Sequence, residues 1–265
     1  MRKSTDPIGV FDSGIGGLTV VREIMRELPD ESIIYFGDTA RVPYGTKSKE
    51  TIEKFAVEDV EFLLKFNVKI IVSACFTVSS NAMDVLRGKF NIPIFDMIEP
   101  GVRAVKRTGK RRIGIIGTYA TIESRAYEKR IREEVPDAEI FTRPAPLFVP
   151  LAEEGKTRGK IAELVVEEYL KELKGRVEVL VLGCTHYPLL KETIKDFMEE
   201  VILVEPGKEV AGMLKEYLGK EGLLSSGPPR YSFYLSDIPR KFGEIGERFL
   251  GRKLEGIRVV REWIT

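Results

Sequence analysis

Cysteine and histidine are scarce in this chain, whose 265 residues include two cysteines and one histidine. A disulfide framework needs more cysteines and an oxidising compartment, so the class of small disulfide-rich secreted proteins is excluded. A zinc site built from Cys75, Cys184 and His186 with an acid is disfavoured, because structural zinc ligands come in pairs a few residues apart. We expect no metal, and these three side chains need another explanation.

Charge of one sign and long hydrophobic runs are also lacking. Lys and Arg number 42 against 41 Asp and Glu, a formal net charge of +1, so the chain has no excess of positive charge for nucleic acid. No apolar run approaches the ~18 residues that a membrane span requires. No apolar signal segment follows the polar first six residues. We expect a cytoplasmic protein without a membrane or nucleic-acid partner.

Short apolar segments alternate with longer segments of helical periodicity, and this pattern predicts an α/β protein with a largely parallel sheet. The length fits one domain or two, and because no Gly/Ser linker interrupts the chain, any two domains must be tightly joined. The predicted strands are 8–11, 32–37, 68–73, 93–95, 112–116, 138–142, 177–182, 202–204 and 230–235. The predicted helices include 18–28, 49–65, 77–87, 122–134, 158–174 and 208–218.

The two halves of the chain repeat one arrangement. Residues 72–77 and 181–186 each end an apolar strand in a small residue, a cysteine and a nearby threonine. Ligands bind at the carboxyl ends of parallel strands, so Cys75 and Cys184 occupy chemically useful positions. A following helix N-terminus favours the thiolate, and both thiols are expected to ionise near neutral pH. The alternative, that each is a small buried hydrophobe, is weakened by their equivalent placement.

Two thiols presented by two halves of a chain suit a reaction that inverts a carbon atom. One group removes a proton from one face of the carbon, and the other returns a proton to the opposite face. A thiolate and a thiol of matched basicity meet this requirement in both directions. The pair therefore predicts a racemase.

The segment DSGIGG at 12–17 follows a predicted strand and opens a predicted helix, so its backbone N–H groups can hold an anion. It departs from the dinucleotide fingerprint, because Thr19 stands where the third glycine would be, and the chain has no P-loop motif. Carboxylate or amine recognition therefore fits better than phosphate. Asp12 orients a thiol or receives an ammonium group, or else it caps the helix.

Three further positions each leave two interpretations open. An imidazolium at His186 would favour the thiolate of Cys184, but a lone histidine is more often a hydrogen-bonded structural residue. Residues 153–155 form a predicted acidic loop, in which a solvated turn is the simpler interpretation. Tyr44 and Gly45 follow a proline, and a turn is the simpler interpretation of these two residues than a binding site.

Motifs along nearly the whole chain resemble those of the glutamate racemases, a family of the aspartate/glutamate racemase superfamily. They are, in order, IGVFDSGIGGL at 8–18, YFGD at 35–38, VPYG at 42–45, AC at 74–75, GIIGT at 114–118, FVPLAEEG at 148–155, GCTHYPL at 183–189 and FLG at 249–251. The resemblance implies a cofactor-independent interconversion of L- and D-glutamate, without pyridoxal phosphate, that supplies D-glutamate for peptidoglycan. It also implies two similar doubly wound α/β domains with the active site in the cleft between them, the first from 1–98 plus 207–265 and the second from 99–206.

The resemblance also assigns expected roles to individual residues. Cys75 would work on one face of the α-carbon and Cys184 on the other, assisted by Asp12 and by Glu153 or His186; whether 153 or 154 is the functional acid is left open. The residues expected to hold the substrate are Asp12, Ser13, Tyr44, Gly45, Phe76, Thr77, Thr118, Thr121, Thr185 and His186.

One position departs from the family pattern, in which the first cysteine motif is Cys-Asn-Thr. Here Phe76 stands between Cys75 and Thr77, and an aromatic ring cannot donate the hydrogen bond of a substrate-contacting amide. The lost contact would weaken binding by about 1–3 kcal/mol, so Phe76→Asn is expected to tighten glutamate binding. Two alternatives stay open: a racemase for aspartate or a related acidic substrate, and a binding or regulatory homologue silenced by Phe76. A homodimer is the expected assembly, because two-fold dimers are the commonest.

Overall fold

The computed structural model describes residues 2–238 and 240–260. The strands in this part of the chain are β1 (Ile8–Asp12), β2 (Ile33–Gly37), β3 (Ile70–Ser73), β4 (Ile94–Phe95), β5 (Arg112–Gly117), β6 (Glu139–Pro144), β7 (Val179–Gly183), β8 (Ile202–Val204), β9 (Tyr231–Leu235) and β10 (Ile257–Val259).

Helices follow most of the strands, as βα units require. They are α1 (Leu18–Glu27), α2 (Lys49–Leu64), α3 (Phe76–Asn81), α4 (Met83–Lys89), α5 (Ile98–Thr108), α6 (Tyr119–Glu123), α7 (Ala126–Glu134), α8 (Phe148–Glu153), α9 (Lys160–Leu170), α10 (Lys191–Met198), α11 (Pro206–Lys220) and α12 (Phe242–Leu250). Short 3₁₀ turns occupy Thr39–Arg41, Tyr44–Thr46 and Tyr187–Leu190. Within the described residues, no helix is both long and apolar enough to cross a membrane.

The strands form two sheets in which every pairing is parallel. The first sheet has the order β10-β9-β2-β1-β3-β4, and the second has the order β6-β5-β7-β8. The first sheet takes strands from both ends of the chain, and the second takes strands from its middle. Two parallel-sheet α/β domains confirm the predicted fold class. The predicted domain boundaries, 1–98 with 207–265 and 99–206, stay a prediction.

The central strands are fully buried because helices cover both faces of each sheet. Every residue of β1, β3 and β7 is buried, whereas β6, at the edge of the second sheet, is at most half-buried. The larger hydrophobic cluster includes residues of both sheets together with α1, α11 and α12, so the two domains share a continuous core. A second cluster lies beneath α2 and α3.

Two predicted helices are interrupted in the structure. The helix predicted at 77–87 is divided into α3 and α4, where Ser80 Oγ and Asn81 Nδ2 donate to the carbonyl oxygens of Phe76 and Thr77 at 2.8 Å. Side chains that bond to the preceding turn compete with the continuing helix. The helix predicted at 122–134 is divided between α6 and α7 because Arg125 adopts a left-handed conformation. The short strand β10 was not predicted.

Candidate active site

The two thiols lie at the carboxyl ends of strands in different sheets. Cys75 follows β3 and is the N-cap residue of α3, while Cys184 comes directly after β7. Strand β3 pairs with β1 at the middle of the first sheet, and β7 pairs with β5 in the second. Both side chains are buried and both are free thiols. The repeat seen in the sequence therefore corresponds to one thiol on each sheet.

Cys75 lies against the segment that follows β1. Its Sγ atom donates to Ser13 Oγ at 3.4 Å. Burial, and then the nearby Asp12, raise the pKa of Cys75 to about 12, and the hydrogen bond with Ser13 opposes this only in part. The prediction that Cys75 ionises near neutral pH is therefore wrong. The six-residue helix α3 offers too little N-terminal stabilisation to outweigh burial.

Cys184 lies beside an imidazole that is held by a carboxylate. Its Sγ atom is 3.9 Å from Nδ1 of His186, and Nε2 of His186 is 3.0 Å from Glu153 Oε1. Burial by itself lowers the pKa of His186, but hydrogen bonds with Cys184 and Glu153 raise it to about 10. The histidine is thus an imidazolium at neutral pH, and Glu153, Cys184 and His186 form one connected group.

The acidic residues 153 and 154 do not both lie in the solvated loop that the sequence predicts. Glu153 is the last residue of α8 rather than part of a solvated loop, and its carboxylate contacts His186. The next residue, Glu154, is exposed. Because Glu153 ends a helix that packs beside the 3₁₀ turn after His186, the geometry brings 153 and not 154 to the imidazole.

Asp12 lies at the carboxyl end of β1 with its carboxylate buried. Its Oδ2 atom accepts the N–H of Gly14 at 3.0 Å, whereas Oδ1 is buried without a hydrogen-bond partner. Burial raises the pKa of Asp12, and the charge on His186 opposes that shift. The N-cap residue of α1 is Gly17 and not Asp12, although backbone hydrogen bonds from both Gly17 and Gly14 lower the pKa of Asp12. Asp12 instead interacts electrostatically with both Cys75 and His186.

The segment 12–17 connects the two thiol environments. A Cβ atom added at Gly16 would lie 2.1 Å from Thr185 Oγ1 and 2.6 Å from the ring of His186. The hydroxyl of Thr19, on α1, donates to the carbonyl oxygen of Thr185 at 2.9 Å. A glycine is therefore required at 16, because only the bare backbone allows this approach. One turn of the first domain contacts Cys75 through Ser13 and the Cys184 segment through Gly16.

A row of hydroxyl groups crosses the boundary between the two sheets. Thr118 Oγ1 lies 3.0 Å from Thr77 Oγ1 and 3.0 Å from Thr121 Oγ1. Gly45 approaches the same residue so closely that an added Cβ would lie 2.8 Å from Thr118 Cβ. Gly45 and Thr77 follow strands β2 and β3 of the first sheet, and Thr118 and Thr121 follow strand β5 of the second. These four predicted substrate-binding residues are thus brought together.

Two predicted substrate-binding side chains are turned away from this row. The Tyr44 hydroxyl is buried and donates to Asp38 Oδ2. The Phe76 ring is buried in the larger hydrophobic cluster and lines a small cavity together with Leu182 and Cys184. Phe76 thus packs beside the second thiol, although it follows the first thiol in the sequence.

Two neighbours of the histidine were not predicted from the sequence. Arg248 Nη1 donates to the carbonyl oxygens of Glu153 and Ala152, at 2.9 and 3.2 Å. The ring centroid of Phe249 lies 5.0 Å from that of His186, nearly perpendicular to it. Both residues lie on α12, distant in sequence, and the motif at 249–251 was the only signal for this region. Among the described residues, no group of three or more His, Cys, Asp or Glu side chains is arranged to hold a metal ion.

Known proteins similar to this chain are racemases. A family profile described as Asp/Glu/Hydantoin racemase matches residues 8–214. A glutamate racemase of Neisseria gonorrhoeae is 51% identical over 259 residues, which cover 96% of each chain. The crystal structure of glutamate racemase from Francisella tularensis in complex with D-glutamate has a TM-score of 0.92 at 44% identity and covers 97% of this chain and 98% of that one.

A second solved structure extends over the full length of both chains. The crystal structure of glutamate racemase from Thermus thermophilus in complex with β-chloro-D-alanine matches at a TM-score of 0.92 and 41% identity, and it covers 100% of each chain. Matches of this identity and coverage establish the relationship: the chain belongs to the Asp/Glu/Hydantoin racemase family and is an isomerase.

Proposed function

We propose that this chain interconverts L- and D-glutamate by a two-base mechanism that uses the thiols of Cys75 and Cys184 and no pyridoxal phosphate. The observation that carries the proposal is the placement of one thiol at the carboxyl end of a buried strand in each sheet, with the 12–17 turn contacting both environments. The choice of glutamate is supported by the relatives named glutamate racemase and by the relative solved with D-glutamate.

The residues around the thiols have the chemistry that an acidic amino acid requires. The backbone N–H groups of the 12–17 turn and the hydroxyls of Thr77, Thr118 and Thr185 are donors for carboxylates. The buried Oδ1 atom of Asp12, which has no partner, is an acceptor for the substrate ammonium group. A substrate held in this way presents the two faces of its α-carbon to the two thiols.

The surroundings of the two thiols differ. Burial raises the pKa of Cys75 to about 12, so Cys75 starts as a neutral thiol, whereas Cys184 has the His186 imidazolium beside it, with Nδ1 3.9 Å from its Sγ atom. In one direction the Cys184 thiolate removes the α-proton, and the Cys75 thiol donates its proton to the opposite face. The reverse direction starts with the proton on Cys184, and it requires Cys75 to be deprotonated by the time substrate is bound.

The biological role and the organisation of the chain form part of the same proposal. The D-glutamate supplies peptidoglycan synthesis in the cytoplasm, and the enzyme is a homodimer. The units 1–98 with 207–265 and 99–206 each contribute one thiol to the cleft between them. The composition of the two sheets supports this division.

The test is racemisation of L-glutamate by the purified protein without added cofactor, followed by circular dichroism. In D₂O, deuterium should appear at the α-carbon of the D-enantiomer, because the thiol that donates the proton exchanges with solvent. Cys75→Ser and Cys184→Ser should each abolish racemisation while keeping the far-ultraviolet spectrum and thermal midpoint of the parent.

Two outcomes would contradict the proposal. Near-normal turnover in either serine variant would show that the reaction does not use two thiols. Turnover of aspartate without turnover of glutamate, measured in parallel, would move the substrate assignment to the shorter acid.

A further inference from the structure

A cluster of charged side chains lies beneath the segment 42–46, apart from the two thiols. Its members, here called the Tyr44 cluster, are Asp38, Arg41, Tyr44, Glu58 and Asp59. Arg41 binds all three carboxylates, through Nε to Asp38, Nη1 to Glu58 and Nη2 to Asp59. The side chains of Asp38 and Asp59 are 0% exposed, and those of Glu58 and Arg41 are 13% and 15% exposed.

The hydrogen bonds of Tyr44 do not balance if both aspartates are ionised. The Tyr44 hydroxyl has one proton, which it donates to Asp38 Oδ2. The Tyr44 hydroxyl oxygen also lies 3.3 Å from Asp59 Oδ2. With its own proton directed to Asp38, the Tyr44 oxygen can bond to Asp59 only if Asp59 supplies a proton. The other atoms are satisfied, because Asp59 Oδ1 accepts Arg41 Nη2 at 3.1 Å and Asp38 Oδ1 accepts Ser236 Oγ at 2.9 Å.

The charges of the cluster lead to the same conclusion. Three ionised carboxylates around the Arg41 guanidinium would leave an excess of negative charge among these buried contacts, which is costly in a medium of low dielectric constant. Burial raises the pKa of Asp59 well above its ordinary value, the charge on Asp38 raises it further, and Arg41 opposes the shift. Among the described residues, the titratable or charged groups that act on Asp59 are Asp38, Arg41 and Tyr44 from the segment after β2 and Glu58 from its own helix.

The cluster determines where the backbone of residues 44–45 lies. Tyr44 begins the 3₁₀ turn Tyr44–Thr46, and its ring packs 5.3 Å from the ring of Phe55, over which the Arg41 guanidinium lies at 3.9 Å. The next residue, Gly45, is the one that approaches Thr118 across the cleft. Displacement of the Tyr44 ring therefore displaces Gly45 relative to the hydroxyl row of Thr118.

We propose that Asp59 is a positioning residue of the active site: it carries a proton at neutral pH, donates it to the Tyr44 hydroxyl, and thereby holds the 44–45 backbone against Thr118. Asp59 touches neither thiol, so it acts on substrate binding rather than on proton transfer. The inference rests on the proposed function, because it concerns the same cleft.

Asp59→Asn and Asp59→Ala separate this role from a generally structural one. In Asp59→Asn, Nδ2 replaces the acid O–H as the donor to Tyr44 and Oδ1 still accepts from Arg41, so KM and kcat should remain within about twofold of the parent. Asp59→Ala removes the donor, and KM for glutamate should rise about tenfold while kcat changes less, since one such hydrogen bond corresponds to about that factor. An asparagine variant as defective as the alanine variant would overturn the proposal, and so would an alanine variant with unchanged KM.

The same exchange at Asp38 is a matched control. Asp38 accepts from Tyr44, Arg41 and Ser236 with two carboxylate oxygens, and an asparagine has a single oxygen for these donors. Asp38→Asn should therefore raise KM, whereas Asp59→Asn should not. In the parent, KM should also rise with pH as Asp59 loses its proton, and this rise should be absent from Asp59→Asn. Equal pH profiles would contradict the proton on Asp59.

A spectroscopic measurement tests the proton without relying on turnover. The infrared difference spectrum between the parent and Asp59→Asn at neutral pH should contain the C=O band of a protonated carboxylic acid. Absence of that band would overturn the proposal even if the kinetics agreed. If the protein did not racemise glutamate at all, the band would still show whether Asp59 is protonated, so failure of the proposed function and failure of this inference are distinguishable.

Discussion

Substitution of Gly16 by alanine tests whether the contact between the 12–17 turn and the second thiol environment controls the reaction. The new Cβ would lie 2.1 Å from Thr185 Oγ1 and 2.6 Å from Nδ1 and Cε1 of His186, whereas ordinary contacts begin at 3.4 Å. Thr185 is held by the hydrogen bond from Thr19, and His186 is held by Glu153. The strain must therefore be relieved by moving the side chains beside Cys184 or the turn itself.

The magnitude follows from this overlap. Relief requires a shift of about 1 Å, and overpacking of this kind costs about 1–3 kcal/mol of unfolding free energy. A displacement of that size at a catalytic group lowers kcat by about 10²-fold. Gly212→Ala is the matched control, because Gly212 lies within α11 and its added Cβ would meet nothing within 4 Å apart from the local backbone of that helix and the adjoining residues. The control should stabilise the protein by about 0.5–1 kcal/mol and leave the kinetics unchanged.

The assay combines urea unfolding with racemisation in both directions and with solvent exchange. The two enantiomers have equal free energies, so kcat/KM must fall by the same factor in both directions. Deuterium exchange at the α-carbon therefore shows which of the two thiols the substitution impairs. In Gly16→Ala, the enantiomer whose α-proton faces Cys75 should exchange that proton for deuterium faster than it inverts. Normal racemisation, or exchange and inversion slowed equally in both enantiomers, would refute the reasoning.

Three further predictions concern buried side chains of the site. Asp12→Asn should raise the unfolding free energy at neutral pH by about 1 kcal/mol, because it removes a buried carboxylate whose Oδ1 lacks a partner, and it should lower kcat. In urea unfolding at different pH values, this gain should vanish below pH 3.8, the ordinary pKa, because the acid is then protonated in both the folded and the unfolded state. The stabilisation from protonated His186 should be fully present below pH 6.5 and lost as the pH rises to about 10. The difference in unfolding free energy between the parent and His186→Asn should therefore shrink across this range, and a difference that grows would contradict the prediction. Phe76→Asn should destabilise the protein by about 3–5 kcal/mol, because it empties a buried aromatic position. An unchanged thermal midpoint would contradict this, and KM for glutamate measured on the same variant tests the separate prediction that the amide tightens binding.

Local patterns in the sequence were sufficient for the framework of the protein. The buried parallel strands have continuous apolar runs, so β1, β3, β5 and β7 were predicted within two residues at each end, and with them the α/β class. The strand-to-turn pattern located the 12–17 turn, and the echo between residues 72–77 and 181–186 located Cys75 and Cys184 at strand ends. These features depend on neighbours in the sequence, and composition and periodicity report such neighbours directly.

Contacts between residues distant in sequence decided the rest. Arg248 and Phe249 lie on α12, which packs against α1, and from there they reach Glu153 and His186; no local pattern encodes these contacts. Burial reversed the expected ionisation of Cys75, because desolvation depends on what the whole fold places around the sulfur. The sequence by itself determined the α/β class, the central strands and where the thiols stand along them. Only the tertiary structure decided which side chains surround each thiol, because burial of Cys75 and the hydrogen bonds of His186 depend on contacts between distant parts of the chain.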